Sequence, residues 1–308
     1  MRSAIVVELA ELAARDSRVV LLTGDLGFTV LEEFAERFPE RFFNVGVAEQ
    51  NMVGVATGLA DAGFIPYVYS IATFATLRPY EFIRNGPLLH GLPVRVIGVG
   101  GGLDYGHNGV THYALEDVAI MRAQPGMTVV APADPGQARA ALREIHAHAG
   151  PAYLRVGRAG EAVPGLDGRF RLGRLEALRD GDDVAVLALG SLATEALVAA
   201  RALDREGIAS AVAVAASLAP APVDDLIALL SRVPVVVTVE AHYPSGGLGS
   251  LVAEVIAEHG LNCRLVRRAV QEMPVGVTGT PGHLHELHGL SGESIADTVS
   301  AALGVPCP

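Results

Sequence analysis

Two α/β domains in series, each a doubly wound and mostly parallel sheet, are what this sequence predicts. Three observations lead there. The chain has 308 residues, more than a single core of ordinary size requires. Runs of Val, Leu and Ile recur as near-continuous apolar strands separated by helical segments, the pattern of strands covered on both faces. The pattern also lapses, between residues 157 and 173, into Gly, Pro and charge. The expected division is a first domain over 1–160, a linker over 161–178 and a second domain over 179–308.

The elements follow in order. Apolar positions at helical spacing over 3–15 lead into a strand over 18–23 that ends on Gly24 and Asp25. A helix over 31–37 is closed by Pro39, and 42–44 is a short strand. The helix opening at Glu49 is built from Gly54, Ala56, Gly58 and Ala60 alternating with Val53, Val55 and Leu59. Small side chains let neighbouring backbones come near, so this helix is expected to be buried and closely approached. A strand over 64–69, a helix over 80–89 and a strand over 93–99 precede a glycine-rich loop over 100–111. Then come a helix near 115–121, a strand over 127–131, a helix over 135–148 with Asp134 as N-cap, and a strand over 152–156. Past the linker, strands over 184–189, 210–215, 234–239 and 262–266 alternate with helices over 191–205, 223–230, 249–258 and 291–303.

Composition narrows the function. Half the residues are hydrophobic and 19% charged, enough apolar material for two cores. A net charge of −11 argues against nucleic acid or an anionic membrane as partner. Cys263 and Cys307 lie far apart and imply no disulfide framework, which fits a reducing cytoplasm. No Cys/His cluster has zinc spacing, so no metal ligand is expected from this chain. The N-terminus is amphipathic rather than a signal peptide, and no apolar run reaches the roughly 20 residues a bilayer requires.

In open α/β sheets ligands bind beyond the carboxyl ends of the strands. That criterion selects residues 24–29, 44–50, 70–80 and 100–112, all in the first domain. A carboxylate at the mouth of a small-residue helix is costly without a partner, which singles out Glu49. His107 and His112 share one strand-end loop and can give or take protons near neutrality. Phe74, Leu77 and Tyr80, three residues apart, fit either core packing or a platform for a planar heterocycle. Arg155 and Arg158 are either surface ion pairs or forks for phosphate or carboxylate. The glycines at 98 and 100–102 do not open directly onto a helix, so they are not a dinucleotide turn. Those at 246, 247 and 249 open a helix with no basic or catalytic residue beside them, which favours packing over anion binding. A Walker loop and a Gly-x-Ser-x-Gly elbow are both missing.

These motifs together resemble the C-terminal half of transketolase and of 1-deoxyxylulose-5-phosphate synthase. They are Gly24-Asp25-Leu26, the run from Asn44 through Val45-Gly46-Val47-Ala48-Glu49 to Asn51, and Thr73-Phe74 through Tyr80. With them stand Gly109-Val110-Thr111-His112, Ala131-Pro132-Ala133-Asp134 and Thr238-Val239-Glu240-Ala241-His242. The resemblance covers essentially the whole chain. It implies a pyrimidine-binding domain followed by a transketolase C-terminal domain, as in the smaller subunit of a split transketolase. The implied activity is transfer of a two-carbon ketol unit between ketose- and aldose-type, phosphorylated substrates.

Residue by residue, the resemblance implies that Glu49 hydrogen-bonds the aminopyrimidine nitrogen of thiamine diphosphate and so promotes loss of the thiazolium proton. Phe74, Leu77, Tyr80 and Asp25 would complete the cofactor contacts. His112 would be the second catalytic residue, touching a donor oxygen, and Arg158 would lie near the substrate phosphate. His107 and Asn108 are substrate candidates without firm counterparts. Gly100 replaces a histidine, Asn108 an acid and Val110 a proline found in many sugar-phosphate transketolases, which puts ordinary pentose-phosphate specificity in doubt. Thiamine enzymes hold diphosphate and magnesium with a Gly-Asp-Gly element followed by Asn, and neither 24–27 nor 180–182 is that element. A partner subunit with the diphosphate-binding domain is therefore expected to ligate Mg2+ and assemble as an α2β2 heterotetramer. Alone, the chain is expected to bind the cofactor weakly and to be inactive. Other readings are the beta subunit of a 2-oxo-acid dehydrogenase's decarboxylating component, a deoxyxylulose-phosphate-synthase-like acyl transferase, and a non-catalytic scaffold. The sequence Gly-Val-Ala-Glu-Gln at 46–50, and the presence of both Glu49 and His112, favour the transketolase.

Overall fold

The computed structural model describes residues 1–304; Cys307 lies outside the described residues. The chain opens with α1 (Arg2–Arg15), β1 (Val19–Thr23), α2 (Glu32–Arg37) and β2 (Phe42–Asn44). Next come α3 (Glu49–Asp61), β3 (Ile65–Ile71), α4 (Ala72–Leu77), α5 (Tyr80–Ile83) and β4 (Arg95–Val99). The glycine-rich loop leads to α6 (Asp117–Arg122), β5 (Thr128–Val130), α7 (Pro135–Ala147) and β6 (Ala152–Val156).

After the stretch of broken pattern, β7 (Glu176–Arg179) precedes β8 (Val184–Ala188), α8 (Ala193–Arg205), β9 (Ser210–Val214) and β10 (Ser217–Ala219). The chain continues through α9 (Val223–Leu230), β11 (Val235–Val239), α10 (Leu248–Glu258) and β12 (Arg264–Arg268). It closes with α11 (Pro281–Leu287) and α12 (Gly292–Leu303).

These elements build the two expected parallel sheets, ordered β10-β5-β6-β4-β3-β1-β2 and β12-β11-β8-β9-β7. Only β10 and β7 run antiparallel to their neighbours. β1, β4 and β6 are buried along their whole length, and β3 along all but its last residue, as their mainly apolar content requires. One core lies between the first sheet and α1, α2 and α7. Another lines the opposite face from Met52 through Met121 and runs on without a break into Leu187 of β8, Leu226 of α9 and Val252 of α10.

The two sheets are also joined by backbone and charge. β10 leaves the second sheet's sequence neighbourhood and pairs with β5 at the edge of the first. Arg155 was expected just past a strand end, at the surface or gripping an anion. It lies within β6 and is 7% exposed, because the flanking apolar residues pair into the sheet centre. Its Nη2 donates to the carbonyls of Ala114 (2.9 Å) and Ala241 (2.8 Å), one from each half of the chain. Its Nε lies 3.0 Å from Asp117 Oδ2, an ion pair without hydrogen-bond alignment, and Tyr153 donates to that same oxygen at 2.6 Å.

Three local expectations change. Residues 72–77, read as part of a strand-end loop, form α4, since small residues there let the chain turn directly off β3. The helix expected over 80–89 is one turn of α5 followed by a π-helical turn, Arg84–Leu88, around Pro87, whose missing N–H breaks the α pattern. The helix α3 is buried on one side only: Met52, Val53, Ala56 and Ala60 face the core, while Gln50, Asn51, Gly54, Val55 and Gly58 are exposed. Replacing Arg155 with Leu leaves Asp117 buried beside no cation. The expected cost is about 3–5 kcal/mol, read as a lower denaturation midpoint in chemical unfolding of the full chain.

Candidate active site

Each segment selected from the sequence follows the carboxyl end of a parallel strand of the first sheet: β1 leads to Asp25, β2 to Glu49, β3 to Arg78, β4 to His112 and β6 to Arg158. The order of the strands thus gathers residues far apart in sequence onto one edge.

Glu49 is the first residue of α3, preceded by Ala48 in a non-helical conformation and by Gly46 at a positive φ of 73°. Its side chain is 1% exposed. Ser70, at the end of β3, donates to Oε1 at 3.0 Å, and Arg78 Nη1 donates to Oε2 at 2.7 Å. Gly24 closes over the same carboxyl, since a Cβ there would sit 3.4 Å from Oε1. Beside it Asp25 and Asn44 exchange hydrogen bonds, Asn44 Nδ2 to Asp25 Oδ1 at 2.9 Å and Asp25 N–H to Asn44 Oδ1 at 3.1 Å. A cleft of about 560 Å³ opens in front of Glu49, walled by Val47, Gln50, Asn51 and Arg78.

From Arg78 the site continues as a row of side chains. The guanidinium carbon lies 3.9 Å from the centroid of Phe74. Phe74 meets His112 edge to face at 5.1 Å, and His112 lies 6.0 Å from Tyr105. Arg158 lies over Tyr105 at 4.5 Å. The His112 ring is half-buried, with Nδ1 3.0 Å from Thr111 Oγ1. Burial lowers its pKa and the Arg78 charge lowers it further, so the neutral imidazole is favoured. Asp104 accepts from the Arg158 backbone N–H at 2.9 Å, and burial pushes its carboxyl up.

Not every expected residue joins the row. Tyr80 turns toward α6, where its hydroxyl donates to Ile120 O at 3.0 Å and accepts from Gln124 Nε2 at 2.5 Å. Leu77 is exposed, one residue from Arg78. His107 and Asn108 are exposed on a single 3₁₀ turn. His107 lines a second cleft of about 460 Å³ with Arg2, Asp104, Arg158, Ser191 and His285. Sequence reasoning assigned no role to Ser70, Arg78, Tyr105 or Arg2. The legible signal was Arg78 itself, a lone cation in an otherwise small and apolar segment after a buried acid.

The glycine-rich loop is packed against the protein rather than open to a phosphate. A Cβ on Gly101 would meet Arg155 Nε at 2.2 Å. Gly100, at φ 75°, would place one 2.1 Å from the Tyr105 ring, which occupies that space. In the second sheet Glu240 accepts from the N–H groups of Leu248 (2.7 Å) and Gly249 (2.8 Å) at the start of α10. The glycine turn there holds the protein's own acid. Burial pushes that carboxyl up to about 7, against the pull of the two amides.

Residues 1–160 match the transketolase pyrimidine-binding domain and residues 173–295 the transketolase C-terminal domain. The chain belongs to the transketolase family. It is 39% identical over 303 residues to a putative transketolase C-terminal section of Methanocaldococcus jannaschii, covering 97% of this chain and 95% of that one. It is 38% identical over 298 residues to the 6-deoxy-6-sulfo-D-fructose transketolase subunit SqwH of a Clostridium species, covering 96% and 92%. A solved split gene transketolase, an inactive beta4 tetramer, superposes with a TM-score of 0.88 at 39% identity over 99% of this chain and 98% of that one.

The family's cofactor is thiamine diphosphate, and the residues present fit its pyrimidine end. Glu49 is a buried acceptor that opens onto a cleft, and its Oε2 is held only by a half-exposed side chain beside an aromatic face. Because burial and Arg78 both depress the His112 pKa, its folded value lies below the unfolded one of about 6.5. The unfolded chain then binds the proton more readily. The stability linked to this imidazole is fully present above about 6.5 and is lost as pH falls below that value through the lower folded pKa. Proton NMR titration of His112 should give a pKa below that of free histidine, moving up in the Arg78→Met protein.

Proposed function

We propose that this chain is the C-terminal, beta-type subunit of a thiamine-diphosphate-dependent split transketolase. It moves a two-carbon ketol unit between ketose and aldose substrates that carry an anionic terminus. The observation that carries this reading is the unbroken row from Glu49 through Arg78, Phe74, His112 and Tyr105 to Arg158. It aligns a buried acid, an aromatic face, an imidazole and a cation along one sheet edge.

Thiamine diphosphate, when bound, supplies the nucleophilic carbon and the electron sink for breaking a carbon–carbon bond next to a carbonyl. Glu49 and Phe74 would hold its pyrimidine end, with Leu77 and Asp25 beside them, while Tyr80 is bonded to α6 instead. Ser70 fixes Oε1 of Glu49, so Oε2 would be the oxygen available to hold a proton at the pyrimidine nitrogen. Neutral His112 can take a proton from the donor's hydroxyl and return it, which a permanently charged ring could not do. Arg158, with Arg2, His107 and Asn108 nearby, anchors the anionic terminus. A guanidinium fork grips phosphate and sulfonate alike, so the sulfonated sugar in one relative's name and a sugar phosphate both suit it.

The diphosphate and Mg2+ belong to a partner subunit carrying the diphosphate-binding domain, in an α2β2 assembly. Support comes from the relatives named as a subunit and a section, and from the exposed half of α3 beside Glu49. The setting is cytoplasmic. Among the described residues no helix is long and apolar enough to cross a membrane, and the one described cysteine, Cys263, is a free thiol.

The test mixes the chain with its partner, thiamine diphosphate, Mg2+ and a panel of ketose phosphates and sulfonates. Turnover should need both chains, and activity of this chain alone would sink the split-subunit reading. Glu49→Gln in the complex should lower kcat by at least about 100-fold, whereas a scaffold would lose nothing. Arg158→Met should raise KM for the anionic substrate by about tenfold or more and leave an uncharged ketose donor such as erythrulose unaffected.

A further inference from the structure

We propose that Arg78 is a displaceable stand-in for the cofactor's aminopyrimidine. It holds Glu49 and Phe74 in their working positions until the cofactor turns it out. This rests on the reading of Glu49 above and concerns a residue that reading leaves without a task.

Three features of the site carry it. The guanidinium already makes both contacts assigned to the pyrimidine. One of its nitrogens donates to Glu49 Oε2 at 2.7 Å, and its central carbon lies over Phe74 at 3.9 Å from the ring centroid. A separation of 3.9 Å leaves room for one planar layer and no more. A heterocycle on that face, with a proton shared between its ring nitrogen and that oxygen, excludes the arginine. Finally, the pair is lopsided: the Glu49 side chain is 1% exposed and that of Arg78 is 42% exposed. Arg78 can withdraw into the open cleft beside Val47, Gln50 and Asn51 and regain water. Glu49 cannot follow, and Ser70 serves only its other oxygen. A buried carboxylate left with one neutral donor is strongly disfavoured, so the incoming ring must take over at Oε2 as the guanidinium leaves. The ring nitrogen of a neutral aminopyrimidine carries no proton, so one proton is taken up from solvent and shared between it and Oε2 as the arginine's charge departs; one hydrogen bond and one stacking contact are exchanged for another of each. The free subunit is thereby kept from collapsing or misplacing the acid, at the cost of a competitor for the cofactor.

The experiment titrates the full-length chain with 4-amino-5-hydroxymethyl-2-methylpyrimidine in a calorimeter, and the assembled complex with thiamine diphosphate. Wild type is compared with Arg78→Met, which keeps the stem but loses the planar cation, and with Arg78→Lys. A stand-in predicts that Arg78→Met melts at a lower temperature than wild type without ligand, yet binds the pyrimidine about tenfold more tightly. Equal or weaker binding overturns the proposal, because Arg78 would then be part of the cofactor grip or irrelevant to it. If Arg78→Met does not fold, Arg78→Lys decides, since it keeps the charge but not the stack: tighter binding supports the proposal and equal or weaker binding overturns it. Failure of the wild-type complex to bind thiamine diphosphate sinks the functional reading itself, a result separate from any difference between the variants.

Discussion

The site depends on keeping one carboxyl out of water without neutralising it permanently. Glu49 sits at the mouth of α3, where the helix N-terminus favours negative charge. Its neighbours are sheet and small residues that offer no solvent. Such a group is tolerated only with donors on both oxygens. β3 provides Ser70, and the turn after α4 provides Arg78. Much of the surrounding architecture follows from delivering those two donors. Three adjacent strands must end at the same level, and α4 must turn directly off β3 to bring Arg78 back over Phe74.

A second buried acid shows what a purely structural solution looks like. Glu240 is also enclosed, but two backbone amides at the start of α10 serve its two oxygens. Neither donor can leave, because each belongs to a helix packed into the shared core. His242 beside it is held neutral by burial, its pKa lowered to about 4. Glu49 differs in one respect that matters: one of its donors is a half-exposed side chain facing a cleft. An exchangeable partner separates an acid available for chemistry from an acid that fastens a fold.

The glycines tell a related story. Several lie at strand ends where a ligand loop would lie, and a sequence cannot say whether the space they leave is filled. Here the Tyr105 ring fills the space over Gly100, Arg155 that over Gly101, and the Glu240 carboxyl that beside Gly247. At Gly100 the aromatic ring stands where any side chain would start.

The sequence by itself determined the fold class, both parallel sheets and the edge on which the site stands. Apolar strand runs and helical spacing are local signals, and the placement of ligands beyond strand ends is a rule of topology. It also marked Glu49 as an acid in need of a partner and His112 as a proton carrier, whereas Phe74 and Arg158 had alternatives that only the family resemblance narrowed. Only the tertiary structure decided which of these meet. Tyr80, three residues from Leu77 and six from Phe74, turns to α6 instead, and Arg155 becomes a tie between the two halves of the chain. Ser70 and Arg78 lie 21 and 29 residues from Glu49 and are its neighbours through strand pairing. Spacing along a chain reports the face of an element, whereas partnership across elements depends on the order in which strands join. That order brings a half-exposed guanidinium against a carboxyl that the sequence marked only as an acid in need of a partner.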